Sequence, residues 1–151
     1  MRAVVQRVSE ASVVIDGNLK SSIQKGLVVL SGFEANDTID DISWMCKKIT
    51  QLRIFDDVNG IMNHSVRDIK GEILVVSQFT LHAKTKKGNR PSYINAAPPE
   101  ISVPLYNLFV KTLSEHLGTK VQTGEFGAYM IVKLTNNGPV TIIIDSKNKN
   151  F

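Results

Sequence analysis

One apolar run, followed at once by polar residues, constrains the fold of this chain most. It is EILVVSQFTL, residues 72–81. Its first part, Ile73–Val76, is an unbroken series of branched apolar side chains. A run of this length and composition predicts a buried strand. We therefore place this stretch at the centre of the fold.

Four residues near the end of this stretch, Ser77, Gln78, Phe79 and Thr80, form the first candidate site. If the strand continues to Leu81, Ser77 and Phe79 point to one face, and Gln78 and Thr80 point to the other. Buried hydroxyl and amide groups need partners, because an unpaired one costs roughly 1–3 kcal/mol. The pattern has two interpretations: cross-strand pairing of Ser and Thr on a half-solvated sheet, or a cluster of functional groups.

The first half of the chain predicts several strands and one helix. The strands are Arg2–Val8, Ala11–Ile15, Leu19–Gln24, Gly26–Phe33 and Arg53–Phe55, with a turn at residues 16–18. The helix is predicted to begin at Thr38, whose spacing to Asp41 is typical of a capping box. Its buried face consists of Ile39, Ile42, Met45, Cys46, Ile49 and Leu52.

The second half predicts another helix and three strands. The helix follows residues 98–100, with Ser102 as its N-cap and Gly118 at its end. Pro104 fits only the first turn of such a helix. The strands are Lys120–Thr123, Ala128–Leu134 and Val140–Asp145.

Strands outnumber helices, and neither helix lies in a repeated strand–helix–strand unit. We therefore expect a mixed α/β fold, with layered mixed β-sheets packed with two main helices, rather than a doubly wound parallel sheet. The 151 residues predict a single domain at residues 1–145, followed by a flexible tail at Ser146–Phe151.

Composition excludes several classes of protein. No apolar run reaches the roughly 18 residues that a membrane span needs, and Arg2, Arg7 and Glu10 interrupt any signal-peptide core. The single cysteine, Cys46, excludes an internal disulfide and fits a reducing cytoplasm. The net charge of +4 is compatible with a polyanionic partner.

The usual catalytic equipment is missing from the sequence. Ser77 does not stand in a G-x-S-x-G motif, and the three histidines, His64, His82 and His116, lie in different segments. No group of residues has the spacing of a zinc site, and no glycine motif for phosphate occurs. We expect neither a metal nor a cofactor.

Two further segments have both a structural and a functional interpretation. The loop at residues 82–91 carries Lys84, Lys86, Lys87 and Arg90, which form either an ordinary solvated surface or a contact for a nucleic-acid backbone. The pair Asn137–Gly138, followed by a proline, is typical of a type I′ hairpin turn between two strands. Its functional interpretation needs a cis bond between Gly138 and Pro139, which residue patterns alone do not favour.

The chain resembles the D-aminoacyl-tRNA deacylases over nearly its whole length. The resemblance is carried by SQFTL at residues 77–81 and by NNGPVT at residues 136–141. It also includes KGNRPSY at 87–93, TGEFGA at 123–128, MNHS at 62–65 and the opening segment at 2–8. Asn137 and Tyr93 differ from the aspartate and phenylalanine that the family usually has at these positions.

The resemblance implies a cytoplasmic homodimer that hydrolyses the ester of D-aminoacyl-tRNA, with the active site at the subunit interface. It implies that Gly138 and Pro139 are joined by a cis bond, enter the pocket of the partner subunit and exclude L side chains with their carbonyl oxygens. Glycyl-tRNA, as mischarged on tRNA(Ala), would also be admitted. Arg7 is expected to brace this segment.

The resemblance also implies a mechanism without a protein base. The ribose hydroxyl of the tRNA would activate or orient water, while the Ser77–Thr80 segment supplies placement and amide donors. Within this mechanism, Thr80 as a nucleophile is a lower-ranked alternative, because nothing in the sequence activates its hydroxyl. Two alternatives to the function itself remain open. One is a non-catalytic module that binds tRNA or another anion through Lys84, Lys86, Lys87 and Arg90, and the other is a related deacylase with a trans Gly-Pro bond and relaxed chirality.

Overall fold

The computed structural model describes residues 1–150 of the chain, which form a mixed α/β fold. The strands are β1 (Arg2–Ile15), β2 (Asn18–Ile23), β3 (Gly26–Gly32), β4 (Phe55–Asp56), β5 (Met62–His64), β6 (Glu72–Ser77), β7 (Gln122–Thr123) and β8 (Ile131–Asp145). The α-helices are α1 (Ile39–Gln51) and α2 (Pro99–Leu117), and a short 3₁₀ helix spans Phe79–His82. The predicted fold class, with two main helices and no doubly wound sheet, is confirmed.

Six of the strands form one mixed sheet. Its strand order is β2-β1-β3-β6-β7, and β8 pairs with β1. The pairs β3–β6 and β6–β7 are parallel, whereas β1 pairs antiparallel with β2, β3 and β8. The carboxyl ends of β3 and β6 therefore meet at the same edge of the sheet, with Ser31 opposite Ser77.

The apolar runs in β3 and β6 are buried on both faces of this sheet. Leu27 and Ile73 face a core that includes residues of both helices, among them Ile42, Met45, Phe109 and Leu113. Val28 and Leu74 face a second core with residues of β1 and β2, among them Val13 and Ile23. Adjacent residues thus point to opposite cores, which explains why these strands have no polar alternation.

Helix α1 begins as the sequence predicts. The hydroxyl of Thr38 accepts a hydrogen bond from the backbone N–H of Asp41, and the Asp41 carboxylate accepts one from the backbone N–H of Thr38. Burial alone would raise the pKa of Asp41, but hydrogen bonds from Lys147 and Thr38 outweigh it and hold that pKa well below its usual value. The carboxylate therefore stays charged and keeps the cap intact.

Helix α2 begins earlier than predicted. Its N-cap residue is Pro98, and Ser102 is not a cap, because its hydroxyl donates to the carbonyl of Pro98 from within the helix. Pro104 consequently lies beyond the first turn. The predicted end is confirmed, since Gly118 adopts a left-handed conformation with φ of +84°.

Strand β1 is one strand, although two were predicted at 2–8 and 11–15. The exposed Ser9 is accommodated as an extra residue against β8, where Val8 pairs with Asn136 and Glu10 with Thr135. A bulge of this kind lets pairing continue across polar residues. The strand predicted at 53–55 begins only at Phe55, because the carbonyl of Ile54 accepts a hydrogen bond from Arg7 instead of a strand neighbour.

The start of the segment predicted as a tail packs against the rest of the chain. Ser146 is buried and its backbone N–H donates to the carbonyl of Met1, 3.0 Å away. The Lys147 ammonium donates to the Asp41 carboxylate at 2.6 Å, and Lys149 lies 5.0 Å from the centre of the Trp44 ring. Phe151 lies outside the described residues.

Candidate active site

The Ser77–Thr80 segment is a turn at the end of a strand, so the predicted continuation of the strand to Leu81 is wrong. The N–H of Gln78 still donates to Ser31 of β3 at 2.7 Å, but β3 itself ends one residue later. The chain then enters the 3₁₀ helix, in which Leu81 donates to the carbonyl of Gln78 at 3.3 Å. The predicted alternation of Ser77 and Phe79 against Gln78 and Thr80 consequently does not apply.

The side chains of this segment form a partly exposed polar and aromatic group. The amide of Gln78 donates to the hydroxyl of Thr80 at 2.5 Å. Phe79 is 56% exposed, and the ring of Tyr93 packs edge-on against it with 5.0 Å between the ring centres. The hydroxyl of Thr80 therefore has a fixed position beside an aromatic surface that is open to a ligand.

A cavity of about 280 Å³ adjoins this turn. Ser77, Gln78 and Phe79 line one part of it, and the carboxyl end of β3 lines another. The remaining walls are largely apolar and include Val76, Phe126, Tyr129, Met130 and Val132. Ligands commonly bind beyond the carboxyl ends of parallel strands, and an apolar cavity with a few polar groups is the usual form of such a site.

Gly138 and Pro139 lie within strand β8, so the predicted hairpin turn is wrong. Between the pairs Gln6–Thr141 and Val8–Asn136, residues 137–140 stand opposite Arg7 alone. The Asn136 side chain closes this bulge, since its Nδ2 donates to the carbonyl of Val140 at 3.1 Å and its Oδ1 accepts from the N–H of Val140 at 3.2 Å. The peptide bond between Gly138 and Pro139 is cis.

Arg7 fastens this bulge to the body of the protein. Its Nε donates to the carbonyl of Asn137 at 2.9 Å, and its Nη1 donates to the carbonyl of Ile54 at 2.7 Å and to Asp56 at 3.2 Å. Arg7 is only 8% exposed. A guanidinium group suits this task because its donors are held in one rigid plane.

Gly138 has little free space around it. A Cβ at this position would lie 2.8 Å from the side chain of Val140 and 3.0 Å from Nη2 of Arg7, and φ is +135°. Only glycine adopts such a conformation readily. Gly138 and Pro139 do not line the cavity beside Ser77, so the two predicted parts of the site are not brought together within residues 1–150 of this chain.

The four cations of the basic loop, Lys84, Lys86, Lys87 and Arg90, are all exposed. Within residues 1–150 none of them forms an ion pair. The loop is closed by two backbone hydrogen bonds between Lys84 and Ser92, at 2.8 and 3.0 Å. Tyr93 is the next residue along the chain. These cations are therefore available to an anion beside the aromatic surface at Phe79.

Sequence reasoning missed three residues at the carboxyl end of β3, namely Ser31, Gly32 and Phe33, which line the cavity. It also missed the contact of Tyr93 with Phe79. The residues at the end of β3 could have been predicted from the parallel pairing of β3 with β6. Two adjacent buried apolar runs predict neighbouring parallel strands, whose carboxyl ends share one edge of the sheet.

The single cysteine, Cys46, is buried in the core that faces the helices. Burial raises the pKa of the Cys46 thiol to about 12, so it is not a nucleophile near neutral pH. Within residues 1–150 no group of three or more His, Cys, Asp or Glu side chains could hold a metal ion. In the same part of the chain, every helix is too short or too polar to cross a membrane.

Comparison with known proteins gives concordant results. The family model described as D-Tyr-tRNA(Tyr) deacylase matches residues 4–145. A D-aminoacyl-tRNA deacylase of Bacteroides fragilis (strain YCH46) is 66% identical over 149 residues, which is 99% of each chain. The corresponding protein of Flavobacterium psychrophilum is 63% identical over the same length.

Two solved structures are also similar. The c-Myc DNA Unwinding Element Binding Protein superposes with a TM-score of 0.90 at 42% identity, covering 96% of this chain and 98% of that one. A probable eukaryotic D-amino acid tRNA deacylase superposes with a TM-score of 0.82, covering 95% and 97% of the two chains. At 16% identity, the second similarity concerns the fold alone.

Proposed function

This chain belongs to the D-Tyr-tRNA(Tyr) deacylase family, and we propose that it hydrolyses the ester bond of D-aminoacyl-tRNA to release a free D-amino acid and tRNA. The observation that carries the proposal is the match at 66% identity, over 99% of both chains, to a protein of that activity. The cavity beside Ser77–Thr80 provides a place for the reaction.

The terminal adenosine of the tRNA would bind against Phe79. Its exposed ring and the neighbouring Tyr93 offer an aromatic surface, and stacking of one base on such a surface is worth about 1–3 kcal/mol. The basic loop is closed between Lys84 and Ser92, and Ser92 precedes Tyr93 of this surface, so the cations of the loop would contact the adjacent phosphates. In this arrangement the acyl ester reaches the Ser77–Thr80 turn.

The protein would act by placement and by hydrogen bonding rather than as a base. Thr80 is held by Gln78 at 2.5 Å, and no histidine or carboxylate of residues 1–150 accepts a hydrogen bond from its hydroxyl. The turn would present backbone N–H groups to the reacting ester, where they would stabilise the developing oxyanion. The neighbouring hydroxyl of the ribose would activate or orient the water.

Selectivity for the D form would come from the Gly138–Pro139 segment. The carbonyl oxygens of this segment would accept hydrogen bonds from the α-amino group of the substrate and leave no volume for an L side chain. Arg7 and Asn136 hold the segment in place, which supports a role that needs precise position. A glycyl group has no side chain to reject, so glycyl-tRNA mischarged on tRNA(Ala) would also be hydrolysed.

A second copy of the chain would complete the site. Gly138 and Pro139 do not line the cavity of their own protomer, and they are exposed. A cytoplasmic homodimer in which each copy inserts this segment into the cavity of the other would bring the filter to the ester. Loss of dimerisation would then abolish activity.

The decisive experiment is hydrolysis of one tRNA charged separately with D-tyrosine and with L-tyrosine. We expect rapid release of the D-amino acid and very slow release of the L form. Hydrolysis of both at similar rates would favour a deacylase of relaxed chirality. Salt-dependent binding without any release would favour a module that only binds tRNA.

The role of Thr80 can be tested in the same assay. Thr80→Ala should lower kcat by one or two decades, because it removes a positioning group rather than a nucleophile. Complete loss of activity, together with an acyl-enzyme trapped in the wild type, would contradict this mechanism.

The tRNA-binding role of the basic loop is tested by the triple variant Lys86→Gln, Lys87→Gln and Arg90→Gln. It should raise KM for charged tRNA and flatten its dependence on salt, since fewer phosphate contacts release fewer counterions. Lys20→Gln, an exposed lysine on β2, serves as the control.

A further inference from the structure

The imidazole of His82, the last residue of the 3₁₀ helix, is fully buried, and the proposed reaction does not use it. Within residues 1–150 neither of its ring nitrogens has a hydrogen-bond partner. A buried ring without hydrogen-bond partners lowers the stability of the fold, and an apolar side chain at the same place would not have this effect. His82 therefore needs an explanation.

The His82 ring and the carbonyl of Gln78 in the active-site turn both lie next to Gly32. A Cβ at Gly32 would lie 3.0 Å from Cδ2 and 3.2 Å from Nε2 of His82, and 2.8 Å from the carbonyl oxygen of Gln78. The histidine ring and this carbonyl thus share the space that the absent side chain of Gly32 leaves. Gly32 and Gln78 line the cavity, whereas His82 reaches it only through them.

Glu34, which follows β3, is the polar neighbour of the ring. Its Oε1 lies 3.4 Å from Nδ1 of His82, and its side chain is 24% exposed. The backbone of Glu34 is itself fixed, since its N–H donates to the Asp37 carboxylate at 2.8 Å and its carbonyl accepts from the N–H of Asp37 at 3.1 Å. A movement of a few tenths of an ångström would bring the two side chains into hydrogen-bond range.

The 3₁₀ helix needs external contacts to keep its orientation. It is a single turn, and its first hydrogen bond, from Leu81 to Gln78, is long at 3.3 Å. Nη1 of Arg2 donates to the carbonyl of Leu81 at 3.1 Å. The other contacts of this helix include the packing of Phe79 against Tyr93 and the approach of the His82 ring to Glu34.

We propose that His82, held in place by Glu34, is a positioning residue for the deacylation and that its ring fixes the carbonyl of Gln78. That carbonyl and the N–H of Phe79 belong to one planar peptide unit, so fixing one fixes the direction of the other. This inference rests on the proposed function, in which the amides of this turn stabilise the oxyanion. The inference assigns the orientation of these amides to the pair His82 and Glu34.

The test compares His82→Ala, Glu34→Ala and the double variant in the hydrolysis of D-tyrosyl-tRNA. Each single variant should lower kcat by about tenfold or more, because small displacements of a catalytic group cost up to about a hundredfold. KM should change by less than about twofold, since the binding surfaces remain. The double variant should be no slower than the slower single one, as for two residues that act as one unit.

A spectroscopic measurement accompanies the kinetics. The amide ¹H–¹⁵N signals of Phe79 and Thr80 in the free protein should shift in both single variants. They should stay in place in His64→Ala and Glu115→Ala, which change an exposed histidine and an exposed glutamate. This readout does not depend on activity. An inactive wild type would refute the proposed function, whereas the amide signals would still test whether His82 and Glu34 orient the Gln78–Phe79 peptide unit.

Three results would overturn the inference. One is a folded His82→Ala variant that keeps the kcat of the wild type and changes only the melting temperature. Another is additivity of the two single effects. If His82→Ala does not fold, Glu34→Ala decides, because its side chain is partly exposed, and unchanged kcat and unchanged amide signals in that variant refute the role.

Discussion

Replacement of Arg7 by lysine tests how the bulge at residues 137–140 is held. The guanidinium of Arg7 reaches three acceptors, the carbonyls of Asn137 and Ile54 and the carboxylate of Asp56. Lysine keeps the positive charge but has a single side-chain nitrogen on a flexible chain. It therefore cannot bond the carbonyl of Asn137 and that of Ile54 at the same time. The variant therefore loses at least one hydrogen bond to a charged donor.

The magnitude follows from the burial of the acceptors. A hydrogen bond to a charged group contributes about 1.5–3 kcal/mol. Asn137 is an exposed residue, so water can replace Arg7 at its carbonyl, whereas Ile54 is only 7% exposed. If lysine keeps the Ile54 contact and releases Asn137, the cost lies near the lower end of that range, at about 2 kcal/mol.

Urea unfolding and deacylation measure the two consequences. With a urea m-value of about 2 kcal/mol/M, the loss lowers the unfolding midpoint by about 1 M. Release of the Asn137 carbonyl should also loosen Gly138, so the ratio of kcat/KM for D-tyrosyl-tRNA over L-tyrosyl-tRNA should fall by about tenfold or more, equivalent to about 1.4 kcal/mol.

Arg53→Lys is a matched control for this substitution. Arg53 also uses two nitrogens, which donate to the carbonyl and the side chain of Asn63 at 2.8 Å each, but these contacts are exposed. We expect its midpoint to change by less than half as much, with no change in chiral selectivity. Equal losses of stability in both variants, or an unchanged D-to-L ratio in Arg7→Lys, would refute the reasoning.

Three further predictions concern stability. Thr38→Ala removes the hydroxyl half of the capping box and should lower the free energy of unfolding by about 1 kcal/mol, measured by urea denaturation. Burial raises the pKa of Asp145, but hydrogen bonds, chiefly from Arg2, outweigh this effect, so the pKa is lowered. The ionised carboxylate therefore stabilises the folded state above about pH 4, and this stabilisation is lost as the pH falls through the lowered pKa. The melting temperature of Asp145→Asn should accordingly lie below that of the wild type at pH 7, and the two should converge towards about pH 2; a constant gap would contradict the assignment. Gly138→Ala places a methyl group 2.8 Å from the nearest side-chain carbon. It should destabilise the fold by more than Gly88→Ala, where φ is also positive but nothing lies within 4 Å of the added methyl group. Equal melting temperatures of the two variants would contradict this.

Much of the fold follows from patterns within a few residues of one another. The branched runs at 26–33 and 72–76 predict buried strands because burial on both faces requires apolar residues at every position. The spacing of Thr38 and Asp41 predicts the start of α1 because both partners of a capping box lie in one turn. The order of motifs from SQFTL to NNGPVT is enough to predict the family, which the comparisons confirm.

The errors arose where distant contacts override a local pattern. The sequence Asn137–Gly138 favours a hairpin, yet β8 continues past it with a bulge, because β1 pairs with β8 on both sides of the bulge and Arg7 donates a hydrogen bond to it. The strand that begins at Glu72 ends at Ser77 rather than Leu81, because its neighbour β3 ends at Gly32 and offers no further partner. Neither cause is visible within the local sequence.

By itself, the sequence determined the type of most secondary-structure elements, the family and the residue types available for chemistry. Only the tertiary structure decided where the cavity lies, that β3 lines it, and that Arg7 and Asn137, 130 positions apart along the chain, share a hydrogen bond. The physical reason is that propensities and periodicities act over one or two turns, whereas a site is built from hydrogen bonds and packing between segments that meet only when the sheet forms.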